Sequence, residues 1–174
     1  IAYPLFGFGY VITATFIMAI VRANEGSAST EAFVWLCTGF AGIFSVWIWN
    51  PVLRRVGPFT SLAFSLLALA GGVAGSVILP SPIGPLIGGL LLGLTIMVIT
   101  AFVFQAGRQL VPQSPRRMMA ITTAAFGIGQ IVGPLIAGYL ADISGNFTSS
   151  TLLAAAGLVI GSFFAFSAGR KVAG

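Results

Sequence analysis

The sequence predicts an all-α membrane protein, and this prediction rests on its composition and on its long apolar runs. Of the 174 residues, 57% are hydrophobic and only 6% are charged, and the mean hydropathy is +1.06. Soluble domains carry roughly 25% charged residues, so this chain cannot cover itself with a polar surface. The basic residues lie between apolar blocks, as membrane topology signals do, and this excludes nucleic acid as a partner in favour of the lipid bilayer.

Six apolar stretches are long enough to cross a bilayer, because a hydrocarbon core of about 30 Å needs around 20 helical residues. They are residues 1–21, 32–50, 58–79, 83–105, 117–141 and 148–168. Proline, charged and small polar residues collect in the connections 22–31, 51–57 and 107–116, while Pro80 and Pro82 separate the third span from the fourth. The sequence therefore predicts a single six-helix transmembrane domain over residues 1–174. We expect it to be truncated at the N-terminus, since Ile1 already lies in an apolar span.

The distribution of basic residues predicts the orientation, because cytoplasmic loops are enriched in Lys and Arg. Seven basic residues fall on one side of the predicted bundle: Arg54, Arg55, Arg108, Arg116, Arg117, Arg170 and Lys171. Only Arg22 falls on the other side, with Glu25 and Glu31 near it in sequence. We expect both ends of the chain to be cytoplasmic and the protein to lie in the cell (inner) membrane.

Glycine pairs at a spacing of four predict close helix packing, since small residues let helices approach within a membrane. The four pairs are Gly71 and Gly75, Gly89 and Gly93, Gly129 and Gly133, and Gly157 and Gly161. Pro134 directly follows Gly133 and removes one backbone hydrogen bond, so a kink in the fifth span is expected there.

Polar and aromatic side chains within the spans are the candidates for a solute pathway, because a polar group is costly in lipid unless it faces a partner or water. The candidates are Tyr3, Phe6, Tyr10 and Thr13 in the first span, Thr95 in the fourth, and Thr123, Phe126 and Gln130 in the fifth. Three alternatives remain: a tyrosine near a span end is an interface anchor, a threonine bonds its own helix, or Gln130 only joins two helices.

The residue types that are missing argue against an enzyme. The chain has no His and a single cysteine, Cys37, and its only acids are Glu25, Glu31 and Asp142 at span ends or in a loop. These residues provide no nucleophile with its base, no pair of membrane aspartates and no metal site, and no cofactor is expected.

Three stretches carry a family resemblance: residues 49–57, residues 115–145 and residues 3–16. Together they resemble the second half of the major facilitator superfamily, in the YbfB/YjiJ-like branch. Residues 49–57 resemble the cytoplasmic gate motif between the eighth and ninth helices, although the usual acid is missing. Residues 115–145, with Gly129, Gly133, Pro134 and Gly138, are similar to the eleventh helix, and residues 3–16 to the seventh. The resemblance implies two three-helix inverted repeats and a cytoplasmic gate at Arg54, Arg55 and Gly57.

The resemblance also implies a function. This chain would be the C-terminal half of a secondary active transporter that moves a small solute by alternating access, with a six-helix N-terminal half on the same polypeptide. Two alternatives remain open: a membrane scaffold or assembly protein that transports nothing, and a half-size transporter that dimerises.

Overall fold

Helices make up nearly all of the structure, a computed structural model that describes residues 1–23 and 27–173. Glu25 lies outside the described residues. Within them no strand occurs, and the five helices are α1 Ala2–Ala23, α2 Ala28–Ile78, α3 Ile83–Leu110, α4 Pro115–Ser144 and α5 Thr148–Ala173. Each is long and apolar enough to cross a membrane, so the fold is that of an all-helical, multi-pass membrane protein.

The second helix, α2, differs from the predicted arrangement of two spans joined by a loop at 51–57. Residues 51–56 are helical, and the chain leaves helical geometry only at Gly57, with φ 76° and ψ 174°. Glycine adopts this positive φ without steric cost, and the following Pro58 is suited to the start of a helix because it has no N–H to satisfy. The predicted loop is therefore wrong, since one residue makes the turn that the sequence suggested would take seven.

The two arms of α2 on either side of Gly57 lie along the same stretch of α3. A Cβ placed on Gly89 would lie 2.6 Å from Thr38 Oγ1 in the first arm, and one on Gly88 would lie 3.2 Å from the Gly72 carbonyl oxygen in the second. In a straight helix Thr38 and Gly72 would be about 50 Å apart, at 1.5 Å per residue. The chain must therefore fold back at Gly57.

The helix ends gather at two opposite ends of the bundle. One cavity is lined jointly by Phe59, Gly107, Met118 and Ala168, so the helix ends that carry the seven basic residues meet there. We call this the basic end. At the opposite end, Ile20, Ser76 and Asn146 are among the residues that line a cavity of about 630 Å³. Near this cavity Arg22 and Glu31 form an ion pair with two hydrogen bonds, of 2.6 and 2.9 Å.

Glycine packing agrees with the sequence at some pairs and not at others. Gly89 and Gly93 face the first arm of α2, and Gly129 and Gly133 face α1 at Pro4 and Phe8, all too closely for an added methyl group.

Gly157 and Gly161 make only ordinary contacts with α1. Gly71 and Gly138 have no atom of the described residues within 4 Å of an added Cβ, so neither is a packing residue in that part of the chain. In the second arm of α2 it is Gly72 that packs closely, since a Cβ added there would lie 2.7 Å from Leu91 Cβ.

Candidate functional site

Four of the predicted pathway residues meet in one aromatic cluster, consisting of Tyr3, Phe6, Tyr10, Phe104 and Phe126. The ring of Phe126 on α4 stacks on those of Tyr3, Phe6 and Tyr10 on α1, with centroids 4.7, 5.5 and 6.3 Å apart. Phe104 on α3 meets Tyr3 edge to face at 6.1 Å. The sequence did not single out Phe104, because only the tertiary fold brings α3 against α1. Phe6 is almost completely buried, whereas Tyr10, Phe104 and Phe126 each keep part of their surface open.

The cluster is possible because Gly7 lies opposite Phe126. A Cβ at this position would meet Phe126 Cδ2 at 2.9 Å and the Phe126 carbonyl oxygen closer still, so only glycine lets α4 place its ring among those of α1. The Tyr3 hydroxyl reaches Thr100 Oγ1 on α3 at 3.5 Å, a long contact that supplies little energy. Three helices thus converge on the Tyr3 side chain.

Two predicted pathway threonines do not offer free hydroxyls. Thr13 is 3% exposed and donates to the Gly9 carbonyl oxygen at 2.9 Å. Thr95 is fully buried and donates to the Leu91 carbonyl oxygen at 2.7 Å. Each hydroxyl satisfies itself on the preceding turn of its own helix, the alternative that the sequence left open. In this structure the hydroxyl hydrogens of Thr13 and Thr95 are therefore used within their own helices.

Helix α4 carries one buried strip and two open faces. Only Gly129, Gly133 and Ala137 are buried, and the two glycines face α1. One open face is apolar, with Ile121, Ile128 and Leu135 at 59, 62 and 69% exposure. The other open face, called here the polar face, carries the three residues Arg116, Thr123 and Gln130. The residues of each set are seven positions apart, so each set lies along one side of the helix. The two sets are offset by two residues, which places them roughly 160° apart around the helix axis.

The polar face holds hydrogen-bonding groups without partners in the described part of the chain. Thr123 is exposed and Gln130 is half-buried, and neither side chain has a hydrogen bond to residues 1–23 or 27–173. The neighbouring Thr122 behaves differently and donates to the Met118 carbonyl oxygen at 2.8 Å. Gln130 therefore does not join two of the helices that the structure describes by its side chain, and its amide has no partner among residues 1–23 and 27–173.

The backbone at Gln130 lacks one of its usual helical hydrogen bonds. Pro134 lies inside α4 and has no N–H, so the Gln130 carbonyl lacks its usual donor four residues on. No residue within α4 departs from helical geometry, so the expected kink is not a break in the helix. A carbonyl without its usual helical donor, beside a side-chain amide without a partner in the described chain, is typical of positions that face a cavity rather than lipid.

The predicted gate residues lie together at the basic end. Arg54 and Arg55 line a cavity of about 620 Å³ with Trp47, Asn50 and Pro51, directly before the turn at Gly57. Both arginines are exposed, and within residues 1–23 and 27–173 neither has an acidic partner. In the same described ranges no three His, Cys, Asp or Glu side chains lie together as a metal site would require.

Comparison with known proteins identifies the family. A sequence profile described as "Uncharacterised MFS-type transporter YbfB" matches residues 1–165, almost the whole chain. No curated protein and no solved structure matches the chain significantly. A match of this extent, together with apolar helices of membrane-spanning length, establishes a multi-pass membrane protein of a transporter family. The chain therefore belongs to the YbfB branch of the major facilitator superfamily.

Proposed function

We propose that this chain forms one wall of a solute pathway in a secondary active transporter that works by alternating access. The observation that carries the proposal is the polar face of α4, whose Thr123 and Gln130 have no partners in the described chain. This face adjoins the open edges of the aromatic cluster, because Phe126 lies on α4 between the two residues. Polar groups that are free at membrane depth are tolerated where they line water or bind a ligand.

We propose that the chain crosses the membrane six times. A 51-residue helix would be about 76 Å long at 1.5 Å per residue, more than twice the thickness of a hydrocarbon core. The reversal at Gly57 divides α2 into two arms, each long enough for one crossing. With α1 these arms form one set of three, and α3, α4 and α5 form the second, which is the arrangement expected of two inverted repeats.

The open faces of α4 support a second six-helix unit as partner, which we place in an N-terminal half of the same polypeptide. A helix buried only along Gly129, Gly133 and Ala137 leaves its other sides for lipid or for protein. Lipid chains can cover the apolar face, but they provide no hydrogen-bonding partner for Thr123 and Gln130. A second half that covers the polar face across a water-filled space would complete the pathway, and the solute would bind between the halves.

The proposed orientation places the basic end in the cytoplasm, since seven of the eight Lys and Arg residues lie there. Arg54 and Arg55 would then lie at the cytoplasmic gate, where they can pair with acids or helix C-termini of the other half when the pathway closes.

Transport can be tested without knowing the solute. Cells that express the wild type, Gln130→Ala or Ile128→Ala at equal membrane levels are compared by untargeted mass spectrometry of small molecules inside and outside the cell. Ile128 is the matched control, because it lies on the apolar face of the same helix two residues away. We expect a solute whose distribution depends on the wild-type protein and on Gln130, but not on Ile128. If no solute responds, or if both variants behave alike, the assignment of the pathway is refuted and a scaffold role is favoured.

A further inference from the structure

The turn between α3 and α4 holds a second basic cavity, separate from that at Arg54 and Arg55. It has a volume of about 490 Å³ and is lined by Arg108, Pro112, Pro115, Arg116 and Met119. Arg108 comes from the last turn of α3 and Arg116 from the first turn of α4, so two helices bring one cation each to the same space. Neither arginine was singled out in the sequence as more than a topology signal.

Neither positive charge is neutralised within the described chain. Both arginines are exposed, and the acids that the structure describes, Glu31 and Asp142, belong to the opposite end. Asp142 is 26 residues along α4 from Arg116, which corresponds to about 39 Å at 1.5 Å per residue, and Glu31 is held by Arg22. The first turn of α4 also has no side-chain cap, which adds a weak preference for negative charge.

The cavity lies at the start of the polar face of α4. Arg116, Thr123 and Gln130 follow one another at two-turn intervals, so the face runs from the arginines into the span. Farther in, the aromatic cluster beside this face has no charged side chain. A molecule that entered from the basic end would therefore meet two cations first, then hydrogen-bonding groups and aromatic rings.

We propose that the solute is an amphipathic organic anion, with a carboxylate, sulfonate or phosphate group on a largely apolar body. Arg108 and Arg116 receive its charged group at the basic end, and the aromatic cluster accommodates the body. This inference rests on the proposed pathway along α4. A cleft lined by one sign of charge concentrates ions of the other sign, by tenfold or more in favourable cases.

The test measures the potential in the pathway with two thiol reagents of opposite charge. In a background with Cys37→Ser, the variant Thr123→Cys is reconstituted in nanodiscs, which leave both sides accessible. It reacts with anionic sulfonatoethyl methanethiosulfonate or with cationic trimethylammonioethyl methanethiosulfonate. The ratio of the two rates, anionic over cationic, is compared with that of Ser149→Cys, an exposed site at the opposite end.

We expect the ratio at position 123 to exceed the ratio at position 149 by roughly tenfold. Arg108→Gln with Arg116→Gln should remove most of this difference, and the double change to Lys should retain it. The matched control is Arg170→Gln with Lys171→Gln, which also removes two charges from the same end but from α5, where Arg170 lies over the Phe166 ring at 5.1 Å. This control should change the ratio by less than about twofold.

The outcomes separate this inference from the proposed function. If neither reagent labels Thr123→Cys, the pathway itself is refuted. If both reagents label it with the same ratio as at position 149, the pathway stands and the anion inference is overturned. The dependence of the rate ratio on salt concentration is a further test that needs no arginine variant. An electrostatic effect of the arginines must weaken between 0.01 and 1 M salt, because the screening length falls from about 30 to about 3 Å. A ratio that does not change with salt also overturns the inference.

Discussion

Replacing Gly129 with alanine tests how closely α1 and α4 approach beside the candidate pathway. An added Cβ would lie 2.9 Å from the Phe8 amide nitrogen and closer still to the Pro4 carbonyl oxygen, whereas ordinary contacts begin at 3.4 Å. Both obstacles are backbone atoms, so no side-chain rotation relieves the overlap. The two helices would have to separate by roughly an ångström, and the stacking of Phe126 on α1 would loosen.

The expected magnitude follows from two opposing terms. Overpacking typically costs about 1–3 kcal/mol, and we take the upper value because rigid backbone must move. Alanine favours the helix over glycine by about 1 kcal/mol. The net loss is about 2 kcal/mol, which corresponds to a fall in Tm of roughly 4–8 °C for a chain of this size.

Gly127→Ala is the matched control, because an added Cβ there has no neighbour within 4 Å. It retains the helix-propensity gain without the overlap, so its Tm should stay level or rise by a few degrees. Both variants are measured by thermal unfolding of the purified protein in detergent. Equal Tm values for the two variants would refute the close approach of α1 and α4 at Gly129.

Two further predictions concern the packing of the bundle. Gly72→Ala should lower the Tm, since its Cβ would lie 2.7 Å from Leu91 Cβ. Gly71→Ala is the control and should not lower the Tm, because its added Cβ has nothing within 4 Å. A lower Tm for Gly71→Ala than for Gly72→Ala would instead favour the packing pair Gly71 and Gly75 that the sequence suggested. Phe126→Ala should destabilise the protein by about 3 kcal/mol through loss of its three ring contacts. The control Phe163→Ala should change the stability by no more than about 0.5 kcal/mol, because the Phe163 side chain is 68% exposed. Similar losses of stability in both variants would contradict a packed aromatic cluster.

The all-helical fold could be predicted from the sequence, because apolar length is a property of each segment alone. The turn at Gly57 could not be predicted in the same way. A run of proline, arginine and glycine is typical of a loop, yet residues 51–56 stay helical and one positive φ suffices. The neighbouring contacts with α3, which are set by tertiary packing, hold the two arms in place.

The candidate site was predictable where spacing along one helix decided it. Tyr3, Phe6 and Tyr10 share a face of α1 through their three- and four-residue steps, and the structure brings Phe126 to them. Whether a hydroxyl is free or bonded to its own helix depends instead on the rotamer of the side chain. Thr13 turns back to its own helix while Thr123 remains open, a difference that residue type cannot reveal.

Close-packed glycines were only partly predictable, for a different reason. Gly71 and Gly75 have the spacing of a packing pair, but Gly72 is the one that packs tightly on α3, while Gly75 makes only ordinary contact there and Gly71 none. Spacing identifies residues that share a face, and it does not show which face meets a neighbour.

The most direct test of the pathway is the reactivity of a thiol introduced at Gln130, in the Cys37→Ser background, toward a water-soluble methanethiosulfonate. The comparison is Ile128→Cys, on the apolar face of the same helix at a similar depth. If α4 lines a water-accessible pathway, Gln130→Cys should react at least about tenfold faster, because the reagent and the reactive thiolate both require water. Equal protection of both thiols would contradict the account, since the polar face would then be sealed against lipid or protein like the apolar one.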